Sequence, residues 1–298
     1  MRIGIDLGGT KIECIVLRND GEIIHKLRVP TRGDYYEIIL DDLTALIQSF
    51  QARFKDRLSV GIGTPGCLSN NGEMKNCNAI ELNGKRLLND VEARLGYEVR
   101  IENDANCFAL SEACYGAAQK ARSVFGVIVG TGCGGGIVID KKLVTGPNSI
   151  SGEWGHNCMP ANARAMISAD RECYCGRTNC IETLLSGRGL SQSYFDATGE
   201  KLSAAEIAER AKGKFAPAKV CLEIYADQLA HCLATVINML DPEVIVLGGG
   251  LSNIASLYRR VPALLRPHVF NDQMHTRIVA PTFGDASGAI GAACLWEH

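Results

Sequence analysis

Nowhere in the 298 residues do about 18 apolar residues run without interruption, the length a membrane-crossing helix needs. The opening Met1-Arg2-Ile3-Gly4-Ile5-Asp6 is broken at its acid, so neither a signal peptide nor a membrane span is expected, and the expected location is cytoplasmic. Charge of one sign is scarce as well. With 31 Lys and Arg against 33 Asp and Glu, the formal charge of -2 provides no basic field to attract nucleic acid or anionic lipid. Low-complexity blocks are missing, and 46% hydrophobic with 21% charged residues argue against disorder and for a sizeable core. The expected partners are small molecules.

Two nucleotide-binding patterns are lacking too. The Walker spacing is met by Gly4 and Gly9, but Thr10 follows where lysine is required. Gly61-Ile-Gly63-Thr-Pro-Gly66 and Gly130-Thr-Gly132-Cys-Gly-Gly135 match G-x-G-x-x-G. That fingerprint needs a helix directly after the glycines, whereas Pro65-Gly66 leads into a polar turn and Gly135 into a strand, which excludes a nicotinamide reading.

What the chain does have is glycine, 32 residues of it, arranged in a repeated pattern. Strand patterning over Ile3 to Leu7, a turn at Gly8-Gly9-Thr10-Lys11, and strands over Ile12 to Leu17 and Ile23 to Val29 open the chain as a β-meander. Apolar residues at helical spacing between Tyr35 and Phe54 predict a helix, followed by a strand over Leu58 to Ile62. Val99 to Glu102 reads as a strand ending at Asn103-Asp104, either of which suits the cap of a helix from Ala105 to Tyr115. The opening then recurs. Val124 to Val129, the glycine turn 130–135 and Gly136 to Ile139 repeat strand, turn, strand, so the chain reads as two related halves. A long helix from Ala218 to Leu240, a strand Val244 to Leu247 ending at Gly248-Gly249-Gly250, and a last helix from Asp285 to Trp296 complete the pattern.

One glycine turn most often only closes a hairpin. Two of them can present backbone N–H groups to an anion from one side, with Thr10 and Thr131 adding hydroxyls. Asp6 stands just before the first turn, where an acid has no hairpin purpose but suits Mg²⁺, held directly or through water. Asp104 at a strand's carboxyl end is either a helix-capping acid or a base within reach of a hydroxyl. Thirteen cysteines, odd in number, favour reduced thiols over a disulfide framework. His156 with Cys173, Cys175 and Cys180 has the composition of a closed tetrahedral zinc site, although C-x-C-x₄-C is an uncommon spacing and buried thiols are the competing reading.

Asp6-Leu7-Gly8-Gly9-Thr10-Lys11, Gly63-Thr64-Pro65-Gly66, Glu102-Asn103-Asp104-Ala105-Asn106 and Gly130-Thr131-Gly132-Cys133-Gly134 together resemble the ordered motifs of the ROK family of bacterial sugar kinases and repressors, over essentially the whole chain. The resemblance implies an α/β, actin-like (hexokinase/ribonuclease H-like) ATPase fold with two α/β domains around a cleft: residues 1–116 plus 285–298, and 117–284 with the zinc loop. It implies ATP, Mg²⁺ and structural Zn²⁺ as cofactors, a homodimer, and domain closure on sugar binding. Asp104 becomes the catalytic base. Sugar contacts fall to Gly66, Asn78, Asn103, Asp104, Glu153, His156 and Glu182. ATP and Mg²⁺ fall to Asp6, Gly8, Gly9, Thr10, Lys11, Thr131, Gly132, Cys133, Gly134, Gly249, Gly250 and Asn253, and zinc to His156, Cys173, Cys175 and Cys180. The zinc motif of the family carries glycine where Asn179 stands, a residue that tolerates left-handed backbone.

Within the family the motifs look nearest to fructokinases, also called mannokinases, with N-acetylglucosamine kinase, or a glucose or N-acetylmannosamine kinase, as the alternative. A sugar-responsive repressor is disfavoured because its helix-turn-helix has no place before a strand at residue 2. A zinc hydrolase is disfavoured because it needs an open metal position, and the four ligands leave none.

Overall fold

The computed structural model describes every residue except Gly33, Asp34, Asn78, Lys214, Glu297 and His298, and the side chain of Asp285. In chain order the strands are β1 (Arg2–Leu7), β2 (Lys11–Leu17), β3 (Ile23–Pro30), β4 (Ser59–Thr64), β5 (Cys67–Leu68), β6 (Met74–Lys75), β7 (Arg100–Asn103), β8 (Ser123–Val129), β9 (Cys133–Ile139), β10 (Lys142–Leu143), β11 (Val244–Gly248) and β12 (Arg277–Val279). The helices are α1 (Tyr36–Gln51), α2 (Leu87–Leu95), α3 (Asp104–Cys114), α4 (Ala161–Arg164), α5 (Glu182–Leu185), α6 (Gly187–Thr198), α7 (Ala204–Lys212), α8 (Ala216–Leu240), α9 (Leu257–Leu265) and α10 (Ser287–Ala293).

The two halves inferred from the repeated glycine turn have one topology. The first sheet runs β3-β2-β1-β4-β7 and the second β10-β9-β8-β11-β12. In each, a hairpin closed by a glycine turn is extended by parallel strands, β1 against β4 against β7 and β8 against β11 against β12. Parallel neighbours bring their carboxyl ends to one edge, the place where open α/β sheets bind ligands.

Two compact units result: residues 1–119, 136–151 and 282–298 in the first, and 120–135 and 152–281 in the second. Residues 136–151, expected with the C-terminal part, thus cluster with the N-terminal one. In the first unit Ile3, Ile5, Leu7, Val60 and Ile62 form a core with Ile39, Leu43 and Ile47 of α1 and Val91 of α2. The opposite face buries Ile15 and Leu17 against Ala289, Ile290 and Ala293 of α10. In the second unit α8 is the central helix, packed by α4, α5, α6, α7 and α9. By length and composition α8 is apolar enough to cross a bilayer, but 67% of its most apolar window is buried inside the protein, which is the character of a core helix.

Two elements differ from expectation. The last helix covers Ser287–Ala293, after a single 3₁₀ turn at Gly284–Ala286, rather than residues 285–296. The second glycine turn is also shorter, because β9 begins at Cys133. The reason is packing. A Cβ on Gly135 would meet Phe125 and Trp154 at 2.9 Å, and one on Gly136 would meet Ala109 at 2.8 Å, so these glycines let neighbours approach a strand.

Candidate active site

In the first unit, Asp6 pairs in register with Gly63, Gly63 with Glu102, and Thr64 with Asn103. Asp6, the Thr64–Gly66 turn and Asn103-Asp104 therefore gather at the carboxyl ends of three adjacent parallel strands. Asn103 caps α3: its side-chain oxygen accepts from Ala105 N at 2.8 Å and Asn106 N at 3.4 Å. Its Nδ2 donates to Gly66 O at 2.9 Å, which leaves one amide hydrogen for a ligand. The cap aims the next residue outward. Asp104 is exposed, with Oδ1 accepting from Ala105 N at 2.8 Å. Gly66 has φ of 85°, and a Cβ there would meet Cys77 Sγ at 2.7 Å, so this turn requires glycine.

Asp6 differs from Asp104 in being half-buried. Burial first, then the charges of Asp104 and Glu13, raise its pKa to about 6, while Lys11 and Arg28 oppose the rise. A carboxyl with the acids Asp104 and Glu13 as neighbours has the oxygen chemistry that suits a divalent ion. The adjoining turn is tight. Gly8 N donates to Lys11 O at 2.9 Å, and Thr31 Oγ1 donates to Gly8 O at 2.7 Å. Gly9 and Thr10 are exposed at its tip, and no atom lies within 4 Å of a Cβ placed on Gly9. Asn78 lies outside the described residues.

In the second unit, β8 and β11 end side by side, with Gly248 opposite Ile128. Their loops touch: the Cβ position of Gly130 is 3.9 Å from Gly249 Cα and from Gly250 N. Gly249 has φ of 80° and abuts Val129 O, so only glycine lets the two backbones meet. Gly130, Thr131, Gly250 and Asn253 line a cavity of about 1370 Å³. Cys133 and Gly134 are strand residues whose backbone is already engaged: Cys133 N donates to Glu182 Oε2 and Gly134 O accepts from Trp154 Nε1, each at 2.9 Å.

The far wall of that cavity was not foreseen from sequence. Arg188, Gln192 and Phe195 on α6, and Leu202 with Ala204 and Ala205 at the start of α7, belong to it. A signal existed: Ser203 and Glu206 form a capping box, readable as S-x-x-E before a helix.

Glu153 and His156 share one turn, a 3₁₀ turn over Trp154–His156 with His156 N donating to Glu153 O at 3.2 Å. Glu182 opens α5 immediately after Cys180 and Ile181. Burial raises the pKa of Glu153, the Glu182 charge adds to the rise, and His156 opposes it. These two carboxylates are therefore electrostatic neighbours. His156, Cys173, Cys175 and Cys180 present ligand atoms that all lie within 4.8 Å of one another. His156 Nδ1 to Cys173 Sγ and Cys175 Sγ to Cys180 Sγ are both 3.6 Å. Tetrahedral zinc with bonds of about 2.3 Å places sulfurs about 3.8 Å apart, so the donor set fits that ion.

Asn179 adopts φ of 59°, the left-handed conformation for which glycine is the usual residue. Its side chain also does what glycine cannot. Oδ1 accepts from Arg171 N at 2.9 Å and Nδ2 donates to Asp170 Oδ1 at 2.8 Å, tying the loop to its own start. Arg171 carries the tie onward, donating to Thr183 O at 3.0 Å and Gly189 O at 3.1 Å, backbone atoms of α5 and α6.

The ROK family profile matches residues 2–298. An N-acetyl-D-glucosamine kinase from Yersinia enterocolitica is 38% identical, over 99% of both chains. Among solved structures, a ROK hexokinase from Thermus thermophilus superposes with a TM-score of 0.86 at 27% identity, covering 98% of this chain and 96% of that one. A ROK family glucokinase from Streptomyces griseus, in complex with glucose and AMPPNP, gives 0.78 at 28% identity, covering 99% and 98%. A full-length profile, a full-length relative and matching folds agree: the chain belongs to the ROK family, as a sugar kinase with the actin-like, hexokinase-type fold.

Proposed function

We propose that this protein transfers the γ-phosphoryl group of ATP to a hydroxyl of N-acetylglucosamine, with Asp104 as the base. The gathering of Asp6, Gly66, Asn103 and Asp104 at the carboxyl ends of β1, β4 and β7 carries the phosphoryl-transfer reading. The 38% identity to an N-acetylglucosamine kinase supports the sugar, and it favours the alternative of the sequence reading over its first choice, fructose.

Asp104, exposed after the Asn103 cap, accepts the hydroxyl proton as the oxygen bonds to phosphorus and the bond to ADP breaks. Mg²⁺, held at Asp6, would supply positive charge against the phosphate oxygens. Backbone N–H groups of the Gly8–Lys11 and Gly130–Gly132 turns suit phosphate oxygens, and the groove beside Gly249, Gly250 and Asn253 suits adenosine. In the second unit the carboxylates of Glu153 and Glu182, with His156, suit sugar hydroxyls, and in the first so do the Asn103 amide and the Gly66 backbone. Zn²⁺ on His156 and the three cysteines would serve as a staple: His156 follows Glu153 by three residues and Cys180 precedes Glu182 by two, so the ligands fix both carboxylates.

A coupled ADP-release assay with N-acetylglucosamine, N-acetylmannosamine, glucose, fructose and mannose tests the substrate. N-acetylglucosamine is expected to give the highest kcat/KM. A higher value for fructose or glucose would reject the sugar, and no turnover with any of them would reject the kinase.

The Asn179 tie predicts a further result. Asn179→Gly keeps the left-handed backbone but removes two hydrogen bonds, so zinc should exchange about tenfold faster or more, on the scale of lost ligand-supporting contacts. Release of Zn²⁺ to a chromophoric chelator reads this without reference to catalysis. Release no faster than from the unaltered protein would show that the backbone alone shapes the loop.

A further inference from the structure

Helix α8 carries Asp227, His231 and Asn238 on one stripe, because steps of four and seven residues return to nearly the same helix face. A 3₁₀ turn over Arg266–His268 brings His268 against that stripe. The two imidazole rings lie 3.9 Å apart, centroid to centroid, at 36°. His231 Nε2 is 4.0 Å from Asp227 Oδ1, too far for a hydrogen bond. One ligand atom from each of Asp227, His231 and His268 lies within 4.8 Å of the other two.

His231 is largely enclosed, at 8% exposed. His268 is held in place by Asn238, whose Nδ2 donates to His268 O at 3.0 Å and whose Oδ1 accepts from Phe270 N at 2.8 Å.

We propose that Asp227, His231 and His268 form a binding site for a divalent transition metal, built from different residues than the cysteine-containing cluster. Two imidazoles and one carboxylate suit Zn²⁺, Ni²⁺, Co²⁺ or Cu²⁺ better than Mg²⁺ or Ca²⁺, which prefer all-oxygen sites. Three protein ligands leave room for water on the ion. Once bound, the metal ties α8 to the turn preceding the 269–277 segment, two elements joined there by the Asn238 bonds.

Equilibrium dialysis of chelator-stripped protein against Ni²⁺ alone, with bound metal counted by mass spectrometry, tests the site. The unaltered protein should hold one equivalent more than His268→Gln, and that equivalent should weaken at least about 100-fold in the variant. Asp227→Asn should weaken the same equivalent, guarding against a fold defect in the first variant, and circular dichroism checks both. With Co²⁺, the equivalent lost should contribute no thiolate-to-metal charge-transfer band. Equal stoichiometry and affinity in unaltered protein and His268→Gln would overturn the proposal. So would a folded Asp227→Asn that binds unchanged, or a charge-transfer band that disappears with the histidine.

Discussion

Asp104→Asn should fold, bind sugar and lose about 10² or more in kcat, the scale of removing a general base. The substitution is nearly isosteric, and the one hydrogen bond described for Oδ1, from Ala105 N at 2.8 Å, survives because an amide oxygen accepts it equally. The Asn103 cap does not depend on Asp104, so α3 keeps its start. What goes is the ability to take a proton, together with the carboxylate charge. Because the lost interaction exists mainly as the hydroxyl is being deprotonated, kcat and kcat/KM should fall together while the sugar dissociation constant stays near its original value. Steady-state kinetics paired with calorimetric sugar binding measures both. Turnover within a few-fold of the unaltered enzyme would remove Asp104 from the role of base.

The same variant probes Asp6. Its pKa is raised to about 6 by burial and then by the Asp104 and Glu13 charges. Removing the Asp104 charge relieves one of those causes, so Asp6 ionises more readily. Any residual activity of Asp104→Asn should therefore extend further toward low pH if ionised Asp6 is what limits the acid side.

What was legible in the sequence was local. The Asn103 cap, the strand ending at it and the glycine turn after β1 each follow from neighbouring residues, and all stand at the expected positions within a residue or two. The duplication was legible because equal topology required the same punctuation twice. Glycines 134–136 were not, since a glycine that forms a turn and one that admits Trp154 or Ala109 against a strand look alike until the neighbours are known. The α6–α7 wall of the cavity beside Gly250 and Asn253 escaped because much of its lining is small or apolar, with no chemistry to distinguish it from core. The choice between fructose and N-acetylglucosamine escaped for a related reason: it depends on a few pocket groups whose placement is tertiary.

Gly61→Ala should cost about 3 kcal/mol or more of stability, the upper range for overpacking a rigid core. In the first unit, α10 lies with its backbone directly against β1, β4 and α3. A Cβ on Gly61 would fall inside the radius of Ala292 O, one on Gly4 inside that of Ala289 O, and one on Gly291 inside that of Cys107 O. These obstacles are backbone atoms of packed elements, so no rotamer change relieves them and the helix itself must move. Gly9→Ala is the control. Its Cβ meets nothing within 4 Å and its φ is not among the positive ones, so its stability should stay within about 0.5 kcal/mol of the original. The displaced helix should also disturb the site, because a Cβ on Gly288 of α10 would lie 2.8 Å from the Asp6 carboxyl, which shows how closely the helix backs that acid. Urea titration of Gly61→Ala beside Gly9→Ala separates the two outcomes. If Gly61→Ala unfolds at the same urea concentration as the unaltered protein, α10 is able to lift from the sheet at little cost, and the glycines are not what seats it.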